Sequence, residues 1–306
     1  MIKEALYWEL KGERIHCFLC PNHCHIKEGH IGACGVREVQ RDVESSHLKL
    51  VTINYGEITS FAIDPIEKKP LYMFKPGNVI LSIGSFGCNF KCSFCQNYSI
   101  SQYKADSTYI SPNELIDILK KTDSEIKNNI GIAFTYNEPS IWFEYVYDCA
   151  QMIKDKLPDK KIVLVSNGYI TKEPLIELLP FIDAMNIDLK GDDIFYKQLC
   201  NGGLGHVLET VKLAHNFGVH IEITTLLING ENTDNETVQL LGDFLHNLDK
   251  KIPLHISRYF PNYKLDNPPT TLDEMKNAYN YLIKKLDNVF VGNVSEYERE
   301  YITKVD

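Results

Sequence analysis

Seven of the nine cysteines fall in two tight groups, and these are the residues best suited to chemistry. One group is the loop Cys88-Asn-Phe-Lys-Cys92-Ser-Phe-Cys95, a C-x3-C-x2-C run. Thiolates this closely spaced can converge on one small metal cluster. A [4Fe–4S] cubane has four irons, so three cysteines leave one iron open to a substrate or cofactor. Structural zinc is the competing reading. It closes its sites with four ligands, and the loop holds no fourth Cys or His. The cluster is therefore preferred for Cys88, Cys92 and Cys95.

The other group is Cys17, Cys20, Cys24 and Cys34, spaced C-x2-C-x3-C-x9-C, with Gly29, Gly32 and Gly35 permitting tight loops around it. Four thiolates close a tetrahedral site, which reads as structural zinc. An auxiliary iron–sulfur cluster uses the same four ligands, and spacing does not separate the two. His16, His23, His25 and His30 lie nearby as spare ligands or surface residues. Cys149 sits on an apolar helical face and reads as packing; Cys200 is left over.

The net charge is −9 with no run of like charges, which argues against nucleic acid as the main partner. The first residues, MIKEALYWELKGERIHC, have no apolar core of a signal peptide. No stretch nears the ~18 apolar residues of a membrane span. The expected location is cytoplasmic, where the thiols stay reduced and serve metals rather than disulfides.

The elements that must position these groups fall into two regions. Residues 1–75 are rich in Cys, His and Gly, with short β-like runs at Leu48 to Ile53 and Ile58 to Ile63. Residues 76–306 alternate strand and helix. Strands are predicted at Val79 to Ile83, Ile130 to Phe134, Lys161 to Val165, Ala184 to Asp188, Val219 to Ile228, Pro253 to Tyr259 and Val289 to Val291. Ser111-Pro-Asn-Glu114 opens a helix with a capping box, whose expected buried face is Leu115, Ile118 and Leu119. Trp142, Tyr145, Val146 and Cys149 mark another. Six or more βα units imply a parallel α/β sheet curled into a barrel or partial barrel. A doubly wound open sheet competes, but it calls for a Gly-rich nucleotide turn after the first strand. Gly84-Ser-Phe-Gly87 leads into cysteines instead.

Polar motifs sit just after the strands: the cysteine loop, Thr135-Tyr-Asn-Glu-Pro139, Ser166-Asn-Gly168 and Asp188-Leu-Lys190. In a βα barrel these ends share one face, where active sites are built. Glu138 suits an ammonium group, Lys190 a carboxylate, and Ser166 and Asn167 neutral hydrogen bonds. Together they fit a zwitterionic amino acid. For Asn137 and Ser166, loop capping is an equal alternative. On the fifth strand Glu222, Thr224, Leu226 and Ile228 share one side; Thr224 faces a ligand or is simply a good strand former. His255, on the sixth, is a candidate catalytic residue or a structural histidine.

These residues together resemble the radical S-adenosylmethionine (SAM) enzyme of the AmmeMemoRadiSam system, a family similar to pyruvate formate-lyase activating enzyme. The resemblance rests on Cys17-Phe-Leu-Cys20-Pro-Asn-His-Cys24, Asp64-Pro-Ile-Glu-Lys-Lys-Pro70, Gly87 to Asn97, Thr135 to Pro139 and Asn186-Ile-Asp-Leu-Lys190. It implies a partial (β/α)6 radical SAM barrel, a SAM-bound [4Fe–4S] cluster and 5′-deoxyadenosyl radical chemistry. By that resemblance Asn137 and Glu138 meet the SAM amino group. Ser166, Asn167, Asp188 and Lys190 lie near its carboxylate and ribose, and Phe94 lies beside the adenine. The implied partners are an electron donor such as flavodoxin or ferredoxin, and Memo-like and AMMECR-like proteins. The chain departs from its relatives at Val165, where activating enzymes carry an acidic residue near a monovalent cation. It departs again at Met73 and Phe260, where many relatives have His. The expected function is reductive SAM cleavage followed by hydrogen abstraction from a small-molecule or partner-supplied substrate. The alternatives are an activase acting on a protein glycine and, outside enzymes, a zinc-binding adaptor.

Overall fold

β-Branched runs flanked by polar turns become the strands of one large sheet, and the amphipathic stretches between them become the helices that cover it. The computed structural model describes residues 2–42 and 45–304; the outer ends of the two expected regions, residues 1 and 306, lie outside them. Among the described residues, eight short strands occupy the N-terminal part: β1 (Lys3–Glu4), β2 (Trp8–Lys11), β3 (Arg14–Cys17), β4 (His25–Ile26), β5 (Arg37–Arg41), β6 (Leu48–Thr52), β7 (Glu57–Ile58) and β8 (Ser60–Pro65). The remaining strands are β9 (Val79–Gly84), β10 (Thr108–Tyr109), β11 (Asn129–Phe134), β12 (Lys161–Ser166), β13 (Ala184–Asp188), β14 (His220–Leu227), β15 (Leu254–Arg258) and β16 (Val289–Gly292).

The large sheet runs β16-β15-β14-β13-β12-β11-β9-β8. Its order is sequential, without the reversal that defines a doubly wound sheet, and β9, β11, β12, β13, β14, β15 and β16 pair in parallel. This is the barrel-type winding expected, left open between β8 and β16, with β16 adding a seventh parallel strand. β8 joins antiparallel to β9. The barrel sheet therefore begins before residue 76, and the boundary expected there falls behind a strand the sheet has already taken up. The reason is register: Asp64 pairs with Ile80 and Pro65 with Val79, so the chain must finish β8 before it can turn into β9.

The helices are α1 (Tyr98–Ser101), α2 (Pro112–Glu125), α3 (Phe143–Lys156), α4 (Lys172–Leu178), α5 (Asp193–Phe195), α6 (Leu204–Phe217), α7 (Asn235–Asp249), α8 (Leu272–Leu282) and α9 (Glu296–Thr303). The capping box of α2 forms as expected between Ser111 and Glu114. Its buried face is Leu115, Ile116 and Leu119, while Ile118 is only partly buried. Ile116, i−3 from Leu119, completes the buried stripe.

Strand side chains alternate cleanly. Leu81, Ile132, Leu164, Ile187, Ile223 and Ile256 point outward into the main core under the helices. The inward positions carry a row of small residues, with Ser82 beside Ala133, Ala133 beside Val163 and Val163 beside Ala184. That row leaves space inside the sheet, and the segment after β8 fills it. A single 3-10 turn (Ile66–Lys68) is followed by a crossing stretch in which Ile66, Leu71 and Phe74 pack on Ile80, Ala133, Val163 and Ala184. The crossing is fastened at its far side. Asn186 Nδ2 donates to the Pro70 carbonyl at 2.8 Å, and the Glu222 carboxylate accepts the Tyr72 and Met73 N–H groups at 2.9 and 2.8 Å. The open barrel thus has a floor, supplied by the N-terminal region.

Candidate active site

Above this floor, at the C-terminal ends of the parallel strands, lies a cavity of about 450 Å³, within the range of cofactor and small-molecule sites. Cys88, Cys92 and Cys95 line it together with Phe94, Asn137, Glu138, Ser166, Asn167, Asp188, Lys190 and Thr224. Residues from five separate strand ends and loops are thereby brought to one mouth, as the strand-end pattern implies. Val165 lines it too.

The cysteine loop is held from three sides. Gly87, at φ +90°, passes so close to the N-terminal region that a Cβ would meet Val36 Cγ1 at 2.6 Å and the Cys34 carbonyl at 2.8 Å. The Cys88 N–H donates to that same carbonyl at 3.2 Å. From the other side, the Lys91 and Ser93 N–H groups donate to the Cys200 and Leu199 carbonyls at 2.8 and 3.0 Å. Asn137 supplies the third brace. Its Oδ1 accepts the Ser85 N–H at 2.9 Å and its Nδ2 donates to the Gly87 carbonyl at 3.2 Å. Both ends of its amide are engaged in anchoring the loop.

Cys92 is buried, and Cys88 and Cys95 are partly buried. Burial pushes Cys88 and Cys95 up. For Cys92 the first cause is a hydrogen bond with Cys200, reinforced by burial. That partner, left unassigned in the sequence, is 108 positions away in chain and carries no motif of its own. Asn167 Nδ2 approaches the Cys88 sulfur at 3.6 Å and Asn89 Oδ1 at 2.9 Å. The three thiols share one wall with an amide donor close to a sulfur, an arrangement that fits an iron–sulfur cluster tuned by hydrogen bonds to its ligands.

Glu138 caps the 3-10 turn Pro139–Trp142 and is buried. Its Oε1 accepts the Ser140 N–H at 2.9 Å and Ser166 Oγ at 2.7 Å, and its Oε2 accepts the Asn167 N–H at 2.7 Å. A carboxylate offers about four acceptor sites, so one remains for a cavity ligand. Burial pushes its carboxyl up despite those donors. Asp188 and Lys190 form an ion pair at 2.7 Å. Burial works against the lysine's charge, but Asp188 and the thiols of Cys92 and Cys200 outweigh it and hold Lys190 well above its ordinary value. Its Nζ lies 5.9 Å from the Phe94 ring, which packs on Phe195. Thr224 Oγ1 exchanges hydrogen bonds with the Asn186 amide at 2.9 and 3.1 Å.

His255 is placed elsewhere. It is buried below the cavity, with Nε2 2.7 Å from Glu222 Oε2 and its ring 4.7 Å from Tyr72 and 5.1 Å from Phe290. It braces the floor and does not line the cavity, so the catalytic candidacy read from strand alternation is corrected. Thr224 pairs with His255 in register, but the imidazole is taken up by Glu222, Tyr72 and Phe290. Lys68, Lys69, Tyr136, Asn97, Ser257 and Asn293 line the cavity without having been singled out. Quoted motifs covered four of them: Asp64–Pro70 holds Lys68 and Lys69, Thr135–Pro139 holds Tyr136, and Gly87–Asn97 ends at Asn97.

In the N-terminal region Cys17, Cys20, Cys24 and Cys34 are neighbours. Burial pushes Cys20 up, and the adjacent Cys34, Cys17 and Cys24 add to it. Arg37, buried and ion-paired with Glu144 of α3, reaches Cys17 Sγ at 3.7 Å. Among the described residues, no three His, Cys, Asp or Glu side chains stand in the arrangement of a single bound metal ion. No helix among them is long and apolar enough to cross a membrane.

Comparison with known proteins agrees with this geometry. Residues 82–241, slightly over half of the chain, match the radical SAM superfamily model. This chain belongs to the radical SAM superfamily. Membership implies a [4Fe–4S] cluster and SAM. A Methanocaldococcus jannaschii protein, described as uncharacterized protein MJ0808, is 39% identical over 98% of this chain and 87% of its own length. The same organism's putative glycyl-radical enzyme activating enzyme MJ1632 is 26% identical over 68% of this chain and 79% of its own. Among solved structures, a radical SAM methyltransferase from Sphaerobacter thermophilus superposes with a TM-score of 0.52 at 14% identity, covering 86% of this chain and 74% of that one. Streptococcus suis SuiB bound to S-adenosylmethionine gives 0.52 at 15%, over 68% of this chain and 48% of that one. These two likenesses establish the fold.

Proposed function

We propose that this protein carries a [4Fe–4S] cluster on Cys88, Cys92 and Cys95, binds SAM in the cavity beside it, and removes a hydrogen atom from a small or partner-supplied substrate. The observation that carries this is the convergence of three thiols with Glu138, Asp188 and Lys190 in one cavity. Held by Cys88, Cys92 and Cys95 and given one electron by an external donor, the cluster would supply reductive cleavage of SAM to methionine and a 5′-deoxyadenosyl radical. The chain's own residues bind and orient. The free acceptor site of Glu138 suits the SAM ammonium, Lys190 its carboxylate, and Ser166, Asn167 and Thr224 neutral polar groups, with Phe94 against the adenine. Asn137 acts through the loop it braces. The floor and the covering helices exclude water from below.

A second reading, activation of a protein glycine, draws support from the relatives named as activating enzymes, among them the Clostridium pasteurianum pyruvate formate-lyase-activating enzyme, 22% identical over 53% of this chain. The floored cavity favours the small substrate. We also propose that Cys17, Cys20, Cys24 and Cys34, which do not stand preformed around a single ion, close on zinc or an auxiliary cluster when metal binds, and that this stabilises the N-terminal region and with it the wall behind Gly87. A zinc-binding adaptor has no use for the three-thiol cavity. An electron donor such as flavodoxin or ferredoxin, and Memo-like or AMMECR-like proteins, are proposed partners. The test is anaerobic reconstitution, iron and sulfide analysis, and assay of 5′-deoxyadenosine formed from SAM with a chemical reductant. The expected result is cleavage by the parent and none by the Cys88/Cys92/Cys95→Ala triple variant. Full cleavage by the variant would overturn the proposal.

A further inference from the structure

Lys69 is 3% exposed, yet it lines the cavity. An ammonium has three N–H donors. Among the described residues, this one has a single hydrogen-bond acceptor, Asp64 Oδ2 at 2.7 Å; another side faces the Tyr136 ring, 4.6 Å from its centroid. Asp64 is already shared. Its Oδ2 also accepts Tyr136 Oη at 2.7 Å, and its Oδ1 lies 3.4 Å from Lys68 Nζ. Two cations therefore face one anion, and one positive charge is left over. Lys190 differs, since it is matched one to one by Asp188.

The arrangement is rigid. Lys69 lies between the 3-10 turn, whose Ile66 carbonyl takes its N–H at 2.9 Å, and Pro70, whose carbonyl is held by Asn186. Tyr136 is held at φ +71°, a conformation that is costly for a bulky residue and persists only where surrounding contacts over-determine it. Here they do: Asp64 holds its hydroxyl and Asn97 Nδ2 its carbonyl at 2.7 Å. Gly84 leaves it room, since a Cβ there would meet the Thr135 carbonyl at 2.5 Å and Tyr136 Cβ at 3.0 Å.

We infer that Lys69, with Lys68 at its rim, forms an anion subsite in this cavity that takes a carboxylate or phosphate group of a small substrate. A buried ammonium with donors to spare gains most from a charged acceptor, because charge-assisted hydrogen bonds are the strong ones and burial removes competing water. The floor segment closes the cavity beneath, so the substrate enters by the mouth. This inference rests on the proposed reading of the cavity as a SAM site and deepens it.

The test is calorimetric titration of the cluster-loaded protein, kept oxidised under anaerobic conditions, with inorganic phosphate and separately with succinate, each with and without SAM. Saturable binding of either anion to the parent is expected, weakened at least about tenfold by Lys69→Gln and largely retained by Lys69→Arg. Which anion binds identifies the group. Lys68→Glu alters an exposed side chain, leaves the buried pair intact and reverses the leftover charge; it is also expected to weaken the anion by about tenfold or more. Anion affinity unchanged in Lys68→Glu, or no anion binding by the parent, overturns the inference. So does an equal loss of affinity for SAM itself in Lys69→Gln, which would give this lysine to the SAM carboxylate. A parent that binds phosphate or succinate through Lys69 but does not bind SAM would support the subsite while removing the SAM reading.

Discussion

Glu138 at the mouth and Glu222 at the floor are both buried carboxylates inside the same barrel, and their surroundings are opposite in kind. Glu222 accepts two backbone N–H groups, from Tyr72 and Met73, and faces two imidazoles, His220 at 2.9 Å and His255 at 2.7 Å. Burial works against its charge, but these partners bring its carboxyl down to about 2. Glu138 has three donors, all neutral, and burial prevails, so its carboxyl is pushed up. A saturated carboxylate has nothing left to offer a ligand and serves the fold. An under-compensated one beside a cavity gains from a cation. The same contrast separates Lys190, matched by Asp188, from Lys69, which shares Asp64 with Lys68 and Tyr136.

The comparison breaks if the two glutamates respond alike to removal. Glu222→Ala strands the Tyr72 and Met73 N–H groups and the His255 ring inside the floor. A loss of about 3–5 kcal/mol of folding stability is expected, measured by denaturant unfolding. A loss under about 1 kcal/mol would show that the floor is held by its apolar contacts instead. Glu138→Ala should act chiefly on binding, weakening SAM by about 1.5–3 kcal/mol, or roughly ten- to hundredfold, with the cluster still assembled. Lys190→Ala is expected to do the same within that range. Spectral titration with SAM on each purified variant measures both, and parent-like affinity in the two together would remove the methionine end from this part of the cavity.

The response to acid sharpens the contrast, because the two groups have opposite signs. Glu222 is held below its ordinary value of 4.5, so the unfolded chain takes the proton first. Its contribution is fully present above that ordinary value and is lost as pH falls toward about 2. Glu138, held above its ordinary value, contributes what is present at low pH and lost as pH rises through its raised value. Glu222→Gln should therefore flatten the acid limb of the stability profile, and an unaltered limb would contradict the assignment. The smallest effect expected is from Thr224→Ala, which removes a hydroxyl bonded to Asn186. A change of about 1 kcal/mol in SAM affinity, as for one neutral hydrogen bond, is anticipated from calorimetry, and no change would mean that Thr224 serves only Asn186.

Much of the site was legible in the chain because barrel topology converts position into geometry. A polar residue just past an apolar strand must emerge at the mouth, wherever it lies in the sequence. That is why Cys88, Glu138, Ser166 and Lys190 meet in one cavity. Period-two alternation put Glu222 and Thr224 on one side of β14, and both meet partners inside the barrel. It did not say at which depth either would stand, or what would reach it. His255 looked like a candidate because it shares the inward face of β15 with Ser257, yet only Ser257 lines the cavity.

By itself, then, the amino-acid sequence determined the βα alternation, the capping of α2, the two cysteine groups and the set of strand-end residues, since each depends on spacing along a few neighbouring positions. Only the tertiary structure decided which of those side chains remain open to a ligand. The amide of Asn137 is engaged by Ser85 and Gly87, Cys92 meets Cys200, Glu222 receives a segment 150 positions earlier, and Lys69 is left with more donors than acceptors. Those partners come from distant parts of the chain, brought together by sheet register and by the floor segment that crosses beneath it. No local pattern encodes a hydrogen bond whose two ends meet only when the sheet has curled.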